Sequence, residues 1–364
     1  MADIDSVLVV TDAWRHGRQL NGVVVTLERV RDNLPKIGIR PRFVTPDAFT
    51  TLPLPTYPDV RISLPIGVSK LLDRELMAGF KSLHIATEGP LGWAAWSWAT
   101  KKGIAFTTSF TSRFPEYIEM RVPKLLKPLL SRRTIDRVYD LLRLFHNRAQ
   151  RVFVPTQSLI AELEGKGLRN LTLWRRGVDT EVFRPCPDDV PPLLAAYRGP
   201  KLLYFGRIAI EKGIEDFLKL PTPPNGVKVV IGDGPPHLME QFRRMSPETL
   251  FLGRMIGYDL VRHVAACDVF VMPSRSETFG NVIIEALACG VPVAAYPVTG
   301  PLDIIADAPV GSLNESLSVA VAEALKVDRS LCRDYVVRNF SIDMAMREFA
   351  TNLCPLYEEF RRAG

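Results

Sequence analysis

The sequence has little cysteine and histidine, and neither residue recurs with the spacing of a metal site. The 364 residues include five cysteines and five histidines. No two cysteines form a CxxC pair, and only His263 lies near a cysteine, four residues before Cys267. This pattern argues against a structural zinc site. It predicts small buried thiols in a reducing compartment.

Long apolar runs are also missing from the chain. The longest stretch without a charged residue, residues 286–302, is interrupted by Gly290, Pro292 and Pro297, so it cannot form a continuous spanning helix. The first residues are acidic, and their apolar run covers only residues 7–10, which predicts that no secretory signal is present. We therefore expect a cytoplasmic protein.

The motifs of three enzyme classes are absent as well. The sequence contains no GxxxxGK[ST], and residues 232–237, which read GDGPPH, do not fit GxGxxG. These absences argue against a P-loop ATPase and against an ordinary dehydrogenase. No G-x-S-x-G elbow of an α/β-hydrolase occurs either.

The chain does contain short β-branched runs that alternate with helix-like segments, which predicts α/β units with parallel sheets. Residues 177–200 hold five prolines and little periodicity, which is typical of a linker. We therefore expect two doubly wound halves, with residues 60–63 as one of the strands and a long tail helix over residues 341–362. Ligands of such folds bind at the carboxyl ends of the strands.

One candidate site lies in residues 206–213, which read GRIAIEKG after a predicted strand. Small glycines allow close backbone approach, and Arg207 and Lys212 place two positive charges near a helix start. This arrangement suits a diphosphate. The alternative is a solvated helix start with an incidental lysine.

A second candidate site follows the buried strand at residues 269–272. The polar loop after this strand holds Glu277, which can accept hydrogen bonds from hydroxyl groups, and a helix begins near Gly280. The free amides at the start of this helix form an anion site. Glu285 is the acidic residue of an apolar helix and needs a partner, for which a ribose diol is suitable. The alternatives are a solvated loop carboxylate for Glu277 and a salt bridge for Glu285.

Together, Glu277, Glu285 and their flanking residues resemble the Glu-x7-Glu signature of retaining glycosyltransferase family 4, which has the GT-B fold. In the amino-terminal half, the strings TDAW at residues 11–14, HIATEGPLG at 84–92 and SFTSRFPEY at 109–117 also fit this family. They resemble its branch of sulfolipid synthases, α-mannosyltransferases and glycosyl-diacylglycerol synthases. The resemblance covers nearly the whole chain.

The resemblance implies two Rossmann-like domains that face each other across a cleft. Residues 1–180 would form the acceptor-side domain, and residues 181–340 would bind the nucleotide sugar. The tail helix over residues 341–364 would cross back to the first domain.

The resemblance also implies the role of each candidate residue. The catalytic residues would be Arg207, Lys212 and Glu277. Arg207 and Lys212 would neutralise the leaving diphosphate, and Glu277 would hold hydroxyl groups of the donor sugar. The remaining donor-binding residues would be Gly22, Gly232, Met255, Thr278, Phe279, Gly280, Asn281 and Glu285. Glu285 would bind the ribose, and Gly232 and Met255 would border the base. No metal and no cofactor are expected, because cations and helix dipoles can stabilise the charge of the leaving group.

The chain departs from the family at Thr111, where the family usually has a histidine. This departure puts in doubt any mechanism that depends on an imidazole at that position. His16, in an unusually basic first loop, is an alternative source of an imidazole.

The net charge of +6 is mild for a chain of this length, which argues against a generic nucleic-acid partner. Residues 113–151 contain ten Lys and Arg against four Asp and Glu, so this segment carries the whole excess. Its basic residues are interleaved with leucines, which predicts a pair of helices on an anionic membrane surface. The alternative is an ordinary domain helix with solvated arginines. The candidate acceptor or membrane residues are Thr111, Arg113, Arg121, Lys124, Lys127, Arg132 and Arg133.

The resemblance, together with the basic segment, implies a retaining transferase that moves a hexosyl unit from a nucleotide-diphospho-sugar, of the UDP-glucose or UDP-glucuronate type, to a membrane lipid acceptor such as diacylglycerol. The enzyme would associate peripherally with the inner face of the cytoplasmic membrane. The alternatives are a GDP-mannose-dependent α-mannosyltransferase, a sugar-nucleotide epimerase of GT-B fold, and a catalytically inactive binding protein.

Overall fold

The computed structural model describes residues 4–15, 22–54, 57–111 and 132–357. The chain divides into two compact α/β units. The N-terminal unit is Met1–Arg175 together with Ala345–Gly364, and the C-terminal unit is Arg176–Met344.

The N-terminal unit is built on a parallel sheet of six strands in the order β2-β1-β5-β6-β7-β8. Its strands are β1 Ser6–Val10, β2 Arg40–Val44, β3 Thr51–Leu54, β4 Tyr57–Ser63, β5 Ser82–Ile85, β6 Thr107–Ser109, β7 Arg151–Val154 and β8 Leu171–Leu173. Its first helices are α1 Gly22–Asn33, α2 Val68–Met77, α3 Pro90–Lys102, α4 Arg132–His146 and α5 Gln157–Gly165. Strands β3 and β4 form a separate antiparallel hairpin.

The C-terminal unit repeats this architecture with a parallel sheet in the order β11-β10-β9-β12-β13-β14. Its strands are β9 Lys201–Phe205, β10 Val227–Ile231, β11 Leu250–Gly253, β12 Val269–Met272, β13 Val293–Ala295 and β14 Gly311–Leu313. The helices that follow along the chain are α6 Pro192–Ala195, α7 Ile214–Leu218, α8 Pro236–Met245, α9 Gly257–Ala265, α10 Asn281–Ala288, α11 Pro301–Ile305, α12 Leu317–Ala324, α13 Arg329–Asn339 and α14 Ile342–Asn352.

Both sheets have helices on their two faces, so the central strands are buried throughout. Every residue of β1 and of β10 is buried. On either side of the C-terminal sheet, alternate residues such as Leu203 and Leu202 belong to two different hydrophobic clusters. Such strands read as continuous apolar runs in sequence, and the expected pair of doubly wound α/β domains is confirmed.

The prediction of a strand at residues 60–63 is confirmed, because these residues belong to β4, which pairs with β3 in the separate hairpin. The predicted tail helix over residues 341–362 was wrong in its extent, because α14 ends at Asn352. Pro355 follows shortly after, and Leu356 is buried, with its backbone hydrogen-bonded to Lys81 and Ala105. These contacts use the backbone groups that a continuing helix would need.

None of the helices in the described ranges combines the length and the apolar character needed to cross a bilayer.

Candidate active site

Strands β9 and β12 are neighbours at the point where the strand order of the C-terminal sheet reverses. In doubly wound sheets, ligands bind at the carboxyl ends of the strands that flank this switch point. The loop after β9 carries Arg207 and Lys212, and the loop after β12 carries Glu277. The topology therefore places both predicted motifs at one switch point.

The loop after β9 is packed closely onto the loop after β12. A 3-10 turn, Ile210–Lys212, leads to Gly213, which has a φ of +63°. A Cβ on Gly213 would lie 2.4 Å from the carbonyl oxygen of Pro273. Only glycine satisfies both the left-handed backbone and this close approach. The helix that the motif opens, α7, has only five residues.

Lys212 and Glu277 form an ion pair through Nζ and Oε1. The Glu277 side chain is 8% exposed and that of Lys212 is 23% exposed. Arg207 pairs with Glu211, whose Oε1 lies 2.7 Å from Nη2, and the Arg207 side chain is 40% exposed. The structure thus holds each predicted cation beside a carboxylate.

Tyr204, at the end of strand β9, lies under this cluster. Its hydroxyl donates a hydrogen bond of 2.8 Å to the carbonyl oxygen of Arg207. Burial raises the pKa of Tyr204 well above its ordinary value, and the charge of Glu277 adds to the shift. The phenol therefore remains protonated, so it can keep donating to the Arg207 backbone and fix this loop.

The loop after β12 turns sharply into helix α10. Gly280 caps the helix with a φ of +95°, and a Cβ there would lie 2.9 Å from Cδ1 of Ile283. The Phe279 side chain is buried in the core. A Cβ on Gly300 would lie 2.4 Å from the carbonyl oxygen of Phe279, so the next loop holds this backbone in place. The amides at residues 278–281 remain candidates for anion binding.

Glu285 lies one turn further along α10, in a stretch where residues 283–288 are all buried. Its side chain is 8% exposed. Burial raises the pKa of the Cys289 thiol, and the charge of Glu285 contributes to this shift. The predicted ribose contact of Glu285 stays a prediction.

Glycines join the loops at the ends of β9, β10 and β11. A Cβ on Gly232 would lie 1.9 Å from the carbonyl oxygen of Gly206, and the Gly232 amide donates to Gly253 over 2.9 Å. Met255 follows β11 and packs partly against the core, and Ile256 beside it is 65% exposed. Their contact with a nucleotide base stays a prediction.

The predicted residues of the N-terminal unit are only partly described. Gly22 is the exposed first residue of α1, and Thr111 follows β6 by two residues. Arg132 and Arg133 open α4. The other candidates, which lie outside the described residues, are His16, Arg113, Arg121, Lys124 and Lys127.

Helix α4 is the described part of the basic, leucine-rich segment. Tyr139, Leu142 and Phe145 are buried in the core of the N-terminal unit, as the alternative of an ordinary domain helix predicts. Leu141 and Leu144 are more than half exposed. The helix therefore has a core face and a second face that carries exposed leucines.

The sequence motifs predict no role for Asp12, Glu88 or His146. The amides of Leu91 and Gly92 donate to the Asp12 carboxylate over 2.9 and 3.2 Å. His146 is buried and lies 3.0 Å from Oε1 of Glu88. Asp12 lies in the TDAW string and Glu88 lies in the HIATEGPLG string, but neither string reveals the partner of its acidic residue.

In the parts of the chain that the structure describes, no group of three or more His, Cys, Asp or Glu side chains could hold a metal ion.

Comparison with known families identifies the chain. A model described as Glycosyltransferase Family 4 matches residues 20–182, and a model of glycosyl transferases group 1 matches residues 199–327. Together they cover most of the sequence. The chain belongs to glycosyltransferase family 4. The resemblance carried by Glu277, Glu285 and their flanks is thereby confirmed, and the protein is a glycosyltransferase.

Known relatives of this glycosyltransferase agree with the expected branch. A GDP-mannose-dependent alpha-mannosyltransferase of Corynebacterium glutamicum is 29% identical over 309 residues, which is 79% of this chain and 71% of the relative. A sulfoquinovosyl transferase of Arabidopsis thaliana is 30% identical over 269 residues, which is 70% of this chain and half of the plant protein.

A solved structure confirms the GT-B fold class of this glycosyltransferase. HepE of Anabaena, crystallised with UDP and glucose, superposes with a TM-score of 0.66 at 18% identity. The match covers 95% of this chain and 98% of HepE.

Proposed function

We propose that this glycosyltransferase moves a hexosyl unit from a nucleotide-diphospho-sugar to a membrane lipid such as diacylglycerol, with retention of the anomeric configuration. The observation that carries the proposal is the cluster of Arg207, Lys212 and Glu277 at the switch point of the C-terminal sheet. Breaking the bond between the sugar and the phosphate places negative charge on the leaving diphosphate. Cations held in position beforehand stabilise that charge.

The two ion pairs hold the cations of Arg207 and Lys212 in place before a diphosphate binds. A bound diphosphate would compete with Glu277 for Lys212 and with Glu211 for Arg207. Once released from Lys212, the buried Glu277 carboxylate would accept hydrogen bonds from hydroxyl groups of the donor sugar. The two cations and the amides at the start of α10 would supply the electrostatic stabilisation, so we propose a reaction that needs no metal and no cofactor.

The proposed donor is a UDP-hexose of the glucose or glucuronate type. HepE was crystallised with UDP and glucose, which makes a UDP-sugar a reasonable first choice for this fold. A GDP-mannose donor is the second candidate, because the Corynebacterium relative is named a GDP-mannose-dependent mannosyltransferase. The two named relatives are both transferases, so the comparisons lend no support to the epimerase alternative.

The proposed acceptor is a lipid in an anionic membrane surface. Leu141 and Leu144 are exposed on α4, and Arg137 and Arg148 are exposed nearby in sequence. Exposed leucines beside basic residues suit an interfacial site, where apolar groups enter the acyl boundary and cations meet anionic headgroups. This chemistry supports peripheral association with the inner face of the cytoplasmic membrane.

The test is a transfer assay with the purified protein. UDP-glucose, UDP-glucuronate and GDP-mannose are each supplied with phosphatidylglycerol vesicles, with and without diacylglycerol, in the presence of EDTA. Nucleotide release and labelled glycolipid are measured, and NMR gives the anomeric configuration of the product. We expect diacylglycerol-dependent transfer of a UDP-sugar with retention. Lipid-independent mannosyl transfer would contradict the proposed donor and acceptor, and epimerised donor without transfer would contradict the reaction.

A further inference from the structure

The N-terminal sheet has its own switch point between β1 and β5. Strand β2 lies on one side of β1 and β5 on the other, so the strand order reverses there. Asp12 follows β1, and Glu88 follows β5. Both acidic residues therefore lie at the edge of the sheet where ligands of doubly wound folds bind.

Asp12 is already engaged by the protein. Its two carboxylate oxygens accept from the amides of Leu91 and Gly92, and the Thr87 hydroxyl donates to Oδ2 over 3.1 Å. A Cβ on Gly89 would lie 2.3 Å from Cγ of Asp12. Asp12 thus caps helix α3 and has little capacity left for a ligand.

Glu88 has a different environment. Its Oε1 accepts a hydrogen bond of 3.0 Å from Nε2 of His146. Within the described ranges no other hydrogen bond or ion pair reaches Glu88, and 23% of its side chain is exposed. Among the residues that the structure describes, one carboxylate oxygen is therefore held by His146 and the other accepts no hydrogen bond.

His146 is a rigid support for this carboxylate. Its side chain is completely buried at the end of α4. The centroid of its ring lies 5.9 Å from that of Phe110 and 5.1 Å from that of Phe145. A carboxylate only accepts hydrogen bonds, so Nε2 carries a proton. In the neutral ring, Nδ1 then accepts from the Thr108 hydroxyl, which lies 2.9 Å away.

We propose that Glu88 binds the attacking hydroxyl group of the acceptor through its second carboxylate oxygen, and that His146 and Thr108 are positioning residues that hold Glu88. This inference rests on the proposed function, because it assumes transfer to a hydroxyl group. A hydrogen bond from a hydroxyl to a carboxylate is charge-assisted. Because His146 holds one carboxylate oxygen of Glu88, the motion of the other oxygen is reduced as well. The negative charge favours a neutral acceptor over a phosphorylated one.

Acceptor kinetics test the proposal on the full chain. Acceptor concentration is varied at saturating donor, and the slow hydrolysis of the donor by water is measured as a readout of the donor site. We expect Glu88→Gln and Glu88→Ala to lower kcat/KM for the acceptor by roughly 10- to 100-fold, the effect of losing one charge-assisted hydrogen bond. The donor KM and the hydrolysis rate should stay within about twofold of the wild type.

The positioning role has its own variants. Thr108→Val keeps the buried volume but removes the hydroxyl that holds His146, so it should lower acceptor kcat/KM in the same direction and leave the donor KM unchanged. His146→Gln keeps a donor for Glu88 and should retain more acceptor activity than His146→Ala. Glu164→Gln, an exposed carboxylate on α5, is the matched control. Melting temperatures verify that each variant is folded.

The outcomes separate this inference from the proposed function. If the wild type transfers sugar and both Glu88 variants keep its acceptor KM and kcat, the inference is wrong and the proposed function stands. The inference is also wrong if the Glu88 variants impair the donor KM and the hydrolysis rate as much as they impair kcat/KM for the acceptor. A wild type that transfers to no hydroxyl acceptor overturns the proposed function, and the inference fails with it.

Discussion

Lys212 on the loop after β9 donates through Nζ to the Glu277 carboxylate on the loop after β12. The pair joins two segments that are 65 residues apart in sequence. It fixes a cation and a carboxylate side by side at the carboxyl ends of adjacent strands, where a nucleotide diphosphate and its sugar would bind. Each partner determines the position of the other, so the two act as one unit.

The first prediction follows from this coupling. Lys212→Ala and Glu277→Ala should each lower kcat by roughly 100- to 1,000-fold, because each removes a preorganised charge from the transition state. The double variant should be little worse than either single variant, since residues that act as a unit show non-additive losses. A transfer assay measures all three.

The matched control for Lys212 is Lys219→Ala, which removes an exposed lysine paired with Glu215 on α7. Its turnover should equal that of the wild type. Near-normal turnover in folded Lys212→Ala would contradict the site assignment, and strictly additive losses would contradict the coupling.

The second prediction concerns the glycines that join the loops. Gly232→Ala would force a Cβ to within 1.9 Å of the Gly206 carbonyl oxygen, so the two backbones must separate. Gly253→Ala meets nothing within 4 Å and carries only the strain of its φ of +74°, a cost of about 1–2 kcal/mol. We expect the free energy of unfolding in urea to fall by a further 1–3 kcal/mol or so in Gly232→Ala, as in overpacked sites. Equal losses would show that the loops are not held by this contact.

The sequence was most informative where a feature is local. The central strands are buried on both faces, so their apolar runs identify them directly, and the motifs around Arg207 and Glu277 lie on the expected loops. The structure adds what depends on distant residues. Glu88 and His146 are 58 positions apart, and no local pattern predicts their pairing. The end of α14 depends in the same way on contacts with Lys81 and Ala105.

A third prediction concerns how the stability of the fold depends on pH through Glu248, which pairs with the buried Lys228. The Ser246 hydroxyl donates to Glu248 over 2.6 Å and, together with Lys228 at 3.0 Å, lowers the pKa of Glu248 from 4.5 to about 2. A lowered pKa stabilises the fold above the unfolded value, and this contribution is lost as the pH falls from about 4.5 to about 2. Because 51% of the Glu248 side chain is exposed, screening limits it to at most about 1 kcal/mol.

Urea unfolding from pH 7 down to pH 2.5 checks this prediction. The difference in free energy of unfolding between the wild type and Glu248→Gln should be largest at pH 7 and should shrink below pH 4.5. Ser246→Ala should weaken the same pH dependence, because it removes the largest cause of the shift. If the free energies of unfolding of the wild type and Glu248→Gln change in parallel from pH 7 to pH 2.5, Glu248 does not contribute this pH dependence.

The last prediction tests the exposed face of α4. Arg137 and Arg148 are exposed, and each basic residue near an anionic leaflet contributes about 1 kcal/mol, or roughly a fivefold change in binding. The double variant Arg137→Gln/Arg148→Gln should therefore bind phosphatidylglycerol vesicles roughly 25-fold more weakly, and raised salt should reduce the difference. Sedimentation with vesicles measures the bound fraction. The control Arg198→Gln/Arg244→Gln removes two exposed arginines of the C-terminal unit and should bind like the wild type, because those residues lie outside the basic segment. An equal loss in both pairs would indicate non-specific attraction by net charge, and no loss in either would leave α4 as an ordinary domain helix.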